Sequence, residues 1–174
     1  LNLAPDWSDA KLISINLRFP SSDYEFKLTI LDTVKYISQK SFYNVKNVEM
    51  ELKFNDDITI EDNAFNGCTG LKSLQFTGSV KKIGDASFSN CINLESLSII
   101  NVERIGNNAF DRCKNLKGSL VISHLTKSIG DFAFSTCTSL TGDLTLPYSL
   151  TSIGNCAFAQ CASLDGIVPI ASNL

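Results

Sequence analysis

One phrase of twelve residues returns six times along this chain of 174 residues. It follows the pattern I-G-x-x-A-F-x-x-C-x-x-L, and its copies begin at Ile37, Ile60, Ile83, Ile105, Ile129 and Ile153. The first copy is the weakest, because Val45 and Val48 replace the cysteine and the leucine. A unit of about 23 residues cannot bury its own apolar face, whereas stacked units cover one another. The repeat therefore predicts a single continuous solenoid.

Each copy leads into a short run in which apolar and polar residues alternate, as in LKSLQF at 71–76. This alternation is typical of a half-buried strand. We expect parallel strands, each paired with its predecessor, centred near 28–30, 52–54, 74–76, 97–99, 120–122 and 144–146. Copies four and five carry an additional glycine, Gly118 and Gly142, which permits a turn with positive φ. A further apolar anchor precedes the next isoleucine at Val80, Val102, Leu125 and Leu150.

Two other columns recur with the same period. The phenylalanine column is expected to form a buried spine of stacked rings, and its members are Phe42, Phe65, Phe88, Phe110, Phe134 and Phe158. The cysteine column comprises Cys68, Cys91, Cys113, Cys137 and Cys161. Neighbouring rungs of a sheet are about 4.8 Å apart, so disulfides between them are geometrically conceivable. Because Val45 fills the same slot, buried free thiols are the favoured interpretation.

The strand residues that point away from the core form the candidate binding face. They are mostly small and polar, which suits hydrogen bonding to a protein or a glycan. The residue types do not distinguish between these two kinds of ligand. The face comprises Lys27, Thr29, Glu51, Lys53, Ser73, Gln75, Thr77, Ser96, Ser98, Ser119, Val121, Ser123, Asp143 and Thr145. Side chains typical of binding hot spots are scarce among them. Affinity would therefore come from many weak contacts spread over a large contact area.

Composition excludes several other classes of function. A net charge of −3 and a pI near 5.1 do not provide the basic footprint of a nucleic-acid binder. No apolar run approaches the ~18 residues of a membrane helix, and no signal peptide is visible. His124 is the one histidine, and the acidic residues near Asp56–Asp57 and Glu61–Asp62 lack a calcium-loop pattern. We therefore expect no catalytic residues, metal site or cofactor.

The repeat phrase and the L-P form at Pro147 resemble the BspA-like leucine-rich repeats, over roughly Leu28 to Pro169. The resemblance implies a right-handed β/α superhelix. It would have one parallel strand per turn and short helical or irregular segments on its convex side. It also implies a surface-exposed or secreted protein of a host-associated microbe, since several members act as adhesins. The family offers no catalytic residues to place on this chain.

The two ends depart from the repeat. Residues 1–27 are interpreted as an N-terminal cap or degenerate repeat, and 28–174 as a leucine-rich-repeat domain of about six repeats with a truncated last copy. The chain begins at Leu1 rather than Met, which indicates a processed or trimmed piece. The segment IVPI at 167–170 is expected to be the terminal strand. A monomer, or a weak end-to-end dimer through the C-terminal turn, is therefore expected.

The sequence supports three hypotheses for function. The leading one is a non-enzymatic recognition module that mediates protein–protein or cell-adhesion contacts, with host matrix as a possible target. The alternative is a structural spacer within a larger surface protein. An enzyme is the third class, and a small ligand in a pocket lined by several acids would support it. Neither membrane insertion nor nucleic-acid binding is expected.

Overall fold

The fold is a stack of turns seen in a computed structural model, which describes residues 26–28, 34–46, 48–54 and 57–165. We number the turns 1 to 6 by the phenylalanines of the column, from Phe42 to Phe158. No helix occurs among the described residues, so the helical segments implied by the family resemblance are not seen there. The strands are β1 Phe26–Leu28, β2 Tyr36–Ile37, β3 Val48–Phe54, β4 Thr59–Ile60, β5 Leu71–Phe76, β6 Ser96–Ser98, β7 Arg104–Ile105, β8 Ser128–Ile129 and β9 Ser152–Ile153.

The main sheet runs along one side of the stack in the order β1-β3-β5-β6, and every pairing is parallel. Leu52 pairs with Leu74, and Leu74 with Leu97, so equivalent residues lie in rows along the stack. This confirms the expected parallel pairing of each strand with its predecessor. The first strand begins at Phe26, two residues inside the segment interpreted as a cap.

The expected strands at 120–122 and 144–146 are reduced to isolated bridges. Ile122 bridges Ile99, and Val121 bridges Thr145, both in parallel. The additional glycines explain the difference, because Gly118 and Gly142 both have a φ of +77°. That conformation interrupts the extended backbone just before each run, so only one or two residues pair. The expected strand at 167–170 lies outside the described residues.

A side sheet of short strands runs along a second side of the stack. It contains β2-β4 and β7-β8-β9, and parallel bridges from Ile83 to Ile60 and Ile105 join the two parts. The isoleucine of each repeat points inward here and is buried in turns 1 to 5. Alternation in these strands leaves the preceding residue, such as Arg104 or Ser152, exposed.

The third side is a ladder of tight turns, which we call the turn ladder. In turn 2 the N–H groups of Asn63, Phe65 and Gly67 donate to carbonyls of Asp85, Ser87 and Ser89 in turn 3. Turns 1 to 5 all repeat this arrangement. Two residues per turn, four apart, have positive φ, as at Asn63 and Gly67. The backbone polar groups of this irregular segment are thus satisfied by the neighbouring turn.

The core is built from the predicted columns. Successive rings of the phenylalanine column are nearly parallel, with centroids 4.7 to 5.5 Å apart. The first five rings are at most 3% exposed, which confirms the predicted spine, while Phe158 in turn 6 is only partly buried. Stacked rings contribute about 0.5–1.5 kcal/mol beyond their burial.

The cysteine column consists of free thiols. Each Sγ donates to the carbonyl of the phenylalanine in the preceding turn, at 2.9 Å from Cys68 to Phe42 and 3.1 Å from Cys161 to Phe134. Burial raises the pKa of Cys68 to about 12 and also raises the pKa of Cys91 and Cys113. The prediction of buried free thiols is confirmed for four members, and Cys161 is half-buried.

One apolar anchor was assigned to the wrong residue. Leu125 is 39% exposed, and Thr126 occupies the buried slot equivalent to Val102 and Leu150. The hydroxyl of Thr126 donates to the carbonyl of Val102 at 2.6 Å, so the buried oxygen is satisfied. The residue three positions before the isoleucine fills this slot at Val80, Val102, Thr126 and Leu150. Hydrophobicity alone favoured Leu125, the neighbour of Thr126.

Candidate recognition face

The outward side chains of the main sheet lie in two straight rows. Glu51 pairs in register with Ser73, and Ser73 with Ser96. In the second row Lys53, Gln75 and Ser98 are partners in the same way. Parallel pairing without loops between these positions places equivalent side chains one rung apart. The strand alternation predicted from the sequence therefore yields a regular polar surface.

The two rows border an open groove of about 510 Å³. Its walls are the polar side chains of β3, β5 and β6. Leu52, Leu74 and Leu97 line the floor between them. No acid cluster converges in it, and the side chains around it are hydroxyls, one amide, one ammonium and one carboxylate. Such a surface can exchange many hydrogen bonds and offers no nucleophile paired with a base.

Other predicted face residues lie further along the stack. Ser119, Val121, Asp143 and Thr145 are exposed, and Val121 is the most apolar of them at 62% exposed. Thr77 is exposed, and its hydroxyl donates to the carbonyl of Phe54. Lys27 belongs to β1, whose side chains are outside the description, and Thr29 lies outside the described residues.

Ser123 was wrongly assigned to the face. It is 2% exposed, its hydroxyl donates to the carbonyl of Ile100 at 2.6 Å, and the N–H of Leu125 donates back to it at 3.0 Å. The chain turns a corner immediately after Ile122, so strand alternation no longer holds there. The serine satisfies backbone groups of the corner, which is a common role of this side chain.

Charges beside the main sheet are paired between turns. Lys72 contacts Glu49 at 3.1 Å, and Lys117 contacts Glu95 at 3.0 Å. All four side chains are at least one-third exposed, and such pairs contribute at most about 1 kcal/mol each. The face is therefore nearly neutral, and long-range steering of a strongly charged partner is not built into it.

A row of Asp and Asn side chains escaped the sequence reasoning. Asp62 Oδ1 accepts the N–H of Asp85 at 2.7 Å, and Asp85 Oδ1 accepts that of Asn107 at 3.1 Å. The series continues through Asp131 to Asn155. Each oxygen satisfies the backbone of the next turn, which gives the acids a structural role. The signal was present, since every copy from the second onward has Asp or Asn two residues after its isoleucine.

A second groove of about 440 Å³ follows the side sheet. Its floor contains Gly106, Gly130 and Gly154, and Lys82 and Asp131 are among the charged residues around it. Lys82 already contacts Asp62 and Asp85. Within the described residues no three His, Cys, Asp or Glu side chains are grouped to hold a metal ion. The part of the chain that the structure describes has no helix capable of crossing a bilayer.

Comparison with known proteins gives a consistent result. Residues 19–123 and 103–172 match the profile of the BspA type leucine-rich-repeat region, in six copies. Among curated proteins none matches the chain significantly.

Two solved structures show the same architecture. A leucine-rich-repeat protein of T. pallidum is 30% identical with a TM-score of 0.60, over 67% of this chain and 56% of that one. A leucine-rich-repeat protein from Bacteroides ovatus is 26% identical with a TM-score of 0.50, over 74% of this chain and 39% of that one. The chain thus spans about half or less of the length of these two relatives.

Proposed function

The chain belongs to the BspA-type leucine-rich-repeat family, and on that premise we propose that it is a non-enzymatic recognition module, exposed on a cell surface or secreted. Its ligand would be a protein or a glycan held by the main-sheet face. Proteins of this family are commonly bacterial surface proteins, which supports the location. Two leucine-rich-repeat structures of similar fold support the architecture of the module.

The observation that carries the proposal is the open groove between the two outward rows of the main sheet. The side chains of Lys53 and Gln75 are exposed there, and those of Ser73 and Ser98 are partly exposed. These polar side chains are not part of the core, because the opposite side of β3 and β5 carries the buried Leu52 and Leu74. Repeated polar side chains on a rigid sheet are well suited to recognition across several turns.

The character of the face indicates how a ligand would be held. Small hydroxyl side chains lose little rotamer freedom on binding, and each hydroxyl or amide group of the face contributes one modest hydrogen bond. Affinity would thus be distributed over the face rather than concentrated in one pocket. A ligand long enough to contact three or more turns is expected to bind better than a small one.

Binding of the purified chain to glycan arrays and to immobilised extracellular-matrix proteins tests the proposal. Gln75→Arg with Ser98→Arg places two bulky cations in the groove and should weaken any binding at least about tenfold. The matched control is Thr59→Arg with Ser152→Arg, which changes exposed positions of the side sheet and should leave binding intact. No binding by the parent chain, or equal loss in both double variants, would contradict the proposal, and the former result would favour a spacer.

A further inference from the structure

The second outward row of the main sheet has a fixed period along the stack. Parallel pairing in β3, β5 and β6 begins the row, and two parallel bridges continue it. Its five described members are Lys53, Gln75, Ser98, Val121 and Thr145. Because successive members belong to neighbouring rungs of a sheet, they are ~4.8 Å apart. A ligand that lies along the stack therefore meets the same arrangement once per rung.

The groove between the two rows, which we call the main-sheet groove, is narrow. Its rows lie two residues apart on each strand, as Glu51 and Lys53 do on β3, which separates them by about 6.6 Å. The residues between the rows point into the core, since Leu52 and Leu74 are at most 2% exposed. On β3 and β5 no side chain therefore stands between the rows, and the groove admits one slender chain along the stack.

This period and this width disfavour a peptide ligand. An extended peptide places side chains on one side every ~6.7 Å, which falls out of step with rungs of ~4.8 Å. An α-helix is ~10–12 Å wide with its side chains, which exceeds the distance between the rows. A polyproline II peptide repeats every ~9.3 Å, close to two rungs, but such peptides are recognised through aromatic-lined grooves. None of the described residues that line the main-sheet groove is aromatic.

A linear sugar polymer suits both dimensions. A pyranose unit in a β-1,4 linkage advances by one ring and one bridging oxygen, which is close to the ~4.8 Å of one rung. The polymer is a flat ribbon with hydroxyl groups along both edges. The groove offers groups that both donate and accept hydrogen bonds, on Ser73, Gln75, Ser96 and Ser98. Within the described residues none of these four side chains has a hydrogen-bond partner, which leaves them available to a ligand.

The charges around the main-sheet groove indicate that its ligand is neutral. Glu51 and Lys53 are the charged residues among the described ones that line it, and their charges cancel. Lys117, beside the sheet, is paired with Glu95 at 3.0 Å. Further along the stack the exposed Asp143 adds a negative charge to the face. A polyanionic chain would therefore meet no excess of cations.

We propose that the main-sheet groove holds a neutral, β-1,4-linked glycan that lies along the stack with one sugar ring per turn. This inference rests on the proposed recognition function and chooses between the two ligand classes named there. Each ring would exchange hydrogen bonds with one side chain from each row, as with Ser73 and Gln75, and the next ring would meet Ser96 and Ser98. Because each such contact is modest, affinity should rise about fivefold with each added sugar until the row is filled.

Isothermal titration calorimetry with β-1,4-linked oligosaccharides of increasing length, built from glucose, N-acetylglucosamine, mannose or xylose, tests the proposal. Affinity for at least one series should grow with length and level off no earlier than five sugars, the number of described positions in the row. Oligomers of α-1,4-linked glucose are the matched control, because they carry the same hydroxyl groups on a curled chain. At equal length they should bind at least about tenfold more weakly, since fewer of their rings can meet the rows.

A substitution at the far end of the row tests the direction of the ligand. Thr145→Arg places a bulky side chain at the last described position, so its affinity should level off one sugar earlier than that of the parent chain. It should bind a trisaccharide as tightly as the parent, because three positions from Lys53 to Ser98 remain, and this binding also shows that the variant is folded. Ser152→Arg, at an exposed position of the side sheet, should keep the length dependence of the parent.

Three results would overturn the inference: no binding of any β-1,4-linked series, affinity that does not grow with length, or a length limit that Thr145→Arg leaves unchanged. Equal binding of the α-linked control would overturn it as well. If matrix proteins bind where these glycans do not, and Gln75→Arg with Ser98→Arg weakens that binding, the recognition function stands and the choice of a glycan is wrong. If neither kind of ligand binds, the proposed function fails too.

Discussion

At the scale of single residues, the repeat shows its exceptions most clearly at Ser87. Turns 2, 4, 5 and 6 carry alanine in this slot, at Ala64, Ala109, Ala133 and Ala157. Turn 1 carries Ser41, whose hydroxyl donates to the Ser38 carbonyl at 2.8 Å. The Ser87 hydroxyl is fully buried and, within the described residues, is the one buried side-chain oxygen or nitrogen without a hydrogen-bond partner. A buried unsatisfied hydroxyl destabilises a fold.

Ser87→Ala should therefore raise the free energy of unfolding by about 1 kcal/mol, because it removes the unpaired oxygen and introduces the alanine found in turns 2, 4, 5 and 6. Urea denaturation monitored by circular dichroism measures the change. Ser89→Ala is the control, since the Ser89 hydroxyl accepts the Asn90 amide at 3.1 Å and its loss should destabilise. A lower midpoint for Ser87→Ala would contradict the prediction.

The buried thiols make stability sensitive to alkaline pH. An unfolded cysteine ionises near pH 8.5, whereas burial raises the pKa of folded Cys68 to about 12. A raised pKa means that stability is complete below about pH 8.5 and falls as the pH rises towards 12, by about 1.4 kcal/mol per pH unit for each such thiol.

Urea unfolding between neutral pH and pH 10 measures this slope. Cys68→Val should make the slope shallower by one thiol, and Val45 in turn 1 shows that valine is accepted in the slot. Unfolding free energies that do not change with pH over this range would show that the column is already ionised or exposed.

Residue-level sequence reasoning succeeded where one property determined the position and failed where two competed. The cysteine and phenylalanine slots were identified because the same residue type recurs in them in nearly every turn. Thr126 was missed because its hydroxyl reaches the Val102 carbonyl, which makes a polar residue acceptable in an apolar slot. Ser123 was misplaced because alternation cannot reveal where a strand bends into a corner.

At the scale of elements, the glycine after the isoleucine sets how closely turns approach. A Cβ added to Gly106 would lie 2.8 Å from the carbonyl carbon of Gly84 and from the carbonyl oxygen of Ile83. Both obstacles are backbone atoms of the preceding turn and cannot move aside. Glycine is required there for close approach, since the φ of Gly106 is not positive.

Gly106→Ala should accordingly lower the free energy of unfolding by about 1–3 kcal/mol, the usual range for overpacking. Gly118→Ala is an informative contrast, because an added Cβ meets no atom within 4 Å and only the positive φ is unfavourable. Thermal melts of both variants provide the comparison. An unchanged melting temperature for Gly106→Ala would mean that the turns separate easily.

The ring stack should be the least tolerant element. Phe110 lies between Phe88 at 5.4 Å and Phe134 at 5.1 Å, and it is fully buried. Phe110→Ala should cost about 3–5 kcal/mol, since it removes a large core side chain and two stacking contacts. Chemical denaturation provides the value, with Phe132→Ala, an exposed ring of the turn ladder, as the control. A cost below that of the control would show that the stack carries little stability.

Strand positions were predictable and strand lengths were not. The recurring leucines predicted which segments of the chain lie in the main sheet. The parallel register follows from the repeat, because equivalent residues of successive copies pair. Pairing becomes sparse after Ser98, because each glycine at +77° takes residues out of the extended conformation. The turn ladder could not be predicted, since residues as different as Lys40, Phe132 and Gln160 adopt positive φ there.

At the scale of the whole molecule, each turn contacts mainly its neighbours, and stability should be close to a sum over turns. Deletion of residues 105–128 joins Arg104 to Ile129 and removes one complete repeat in register. The shortened protein should fold with the same circular dichroism per residue and melt at a lower temperature. Deletion of 105–116 removes half a turn and should prevent folding. Equal behaviour of the two deletions would contradict an additive stack.

The thiol column affects how the protein matures. Its thiols donate hydrogen bonds to backbone carbonyls, as Cys91 does to Phe65 at 3.2 Å. No disulfide links the described turns. Acquisition of the native state therefore needs neither an oxidant nor an isomerase to sort pairings among six cysteines. Reducing and oxidising surroundings should therefore leave the same four buried thiols in the folded protein, because an oxidant cannot reach them, whereas the exposed Cys156 stays open to oxidation.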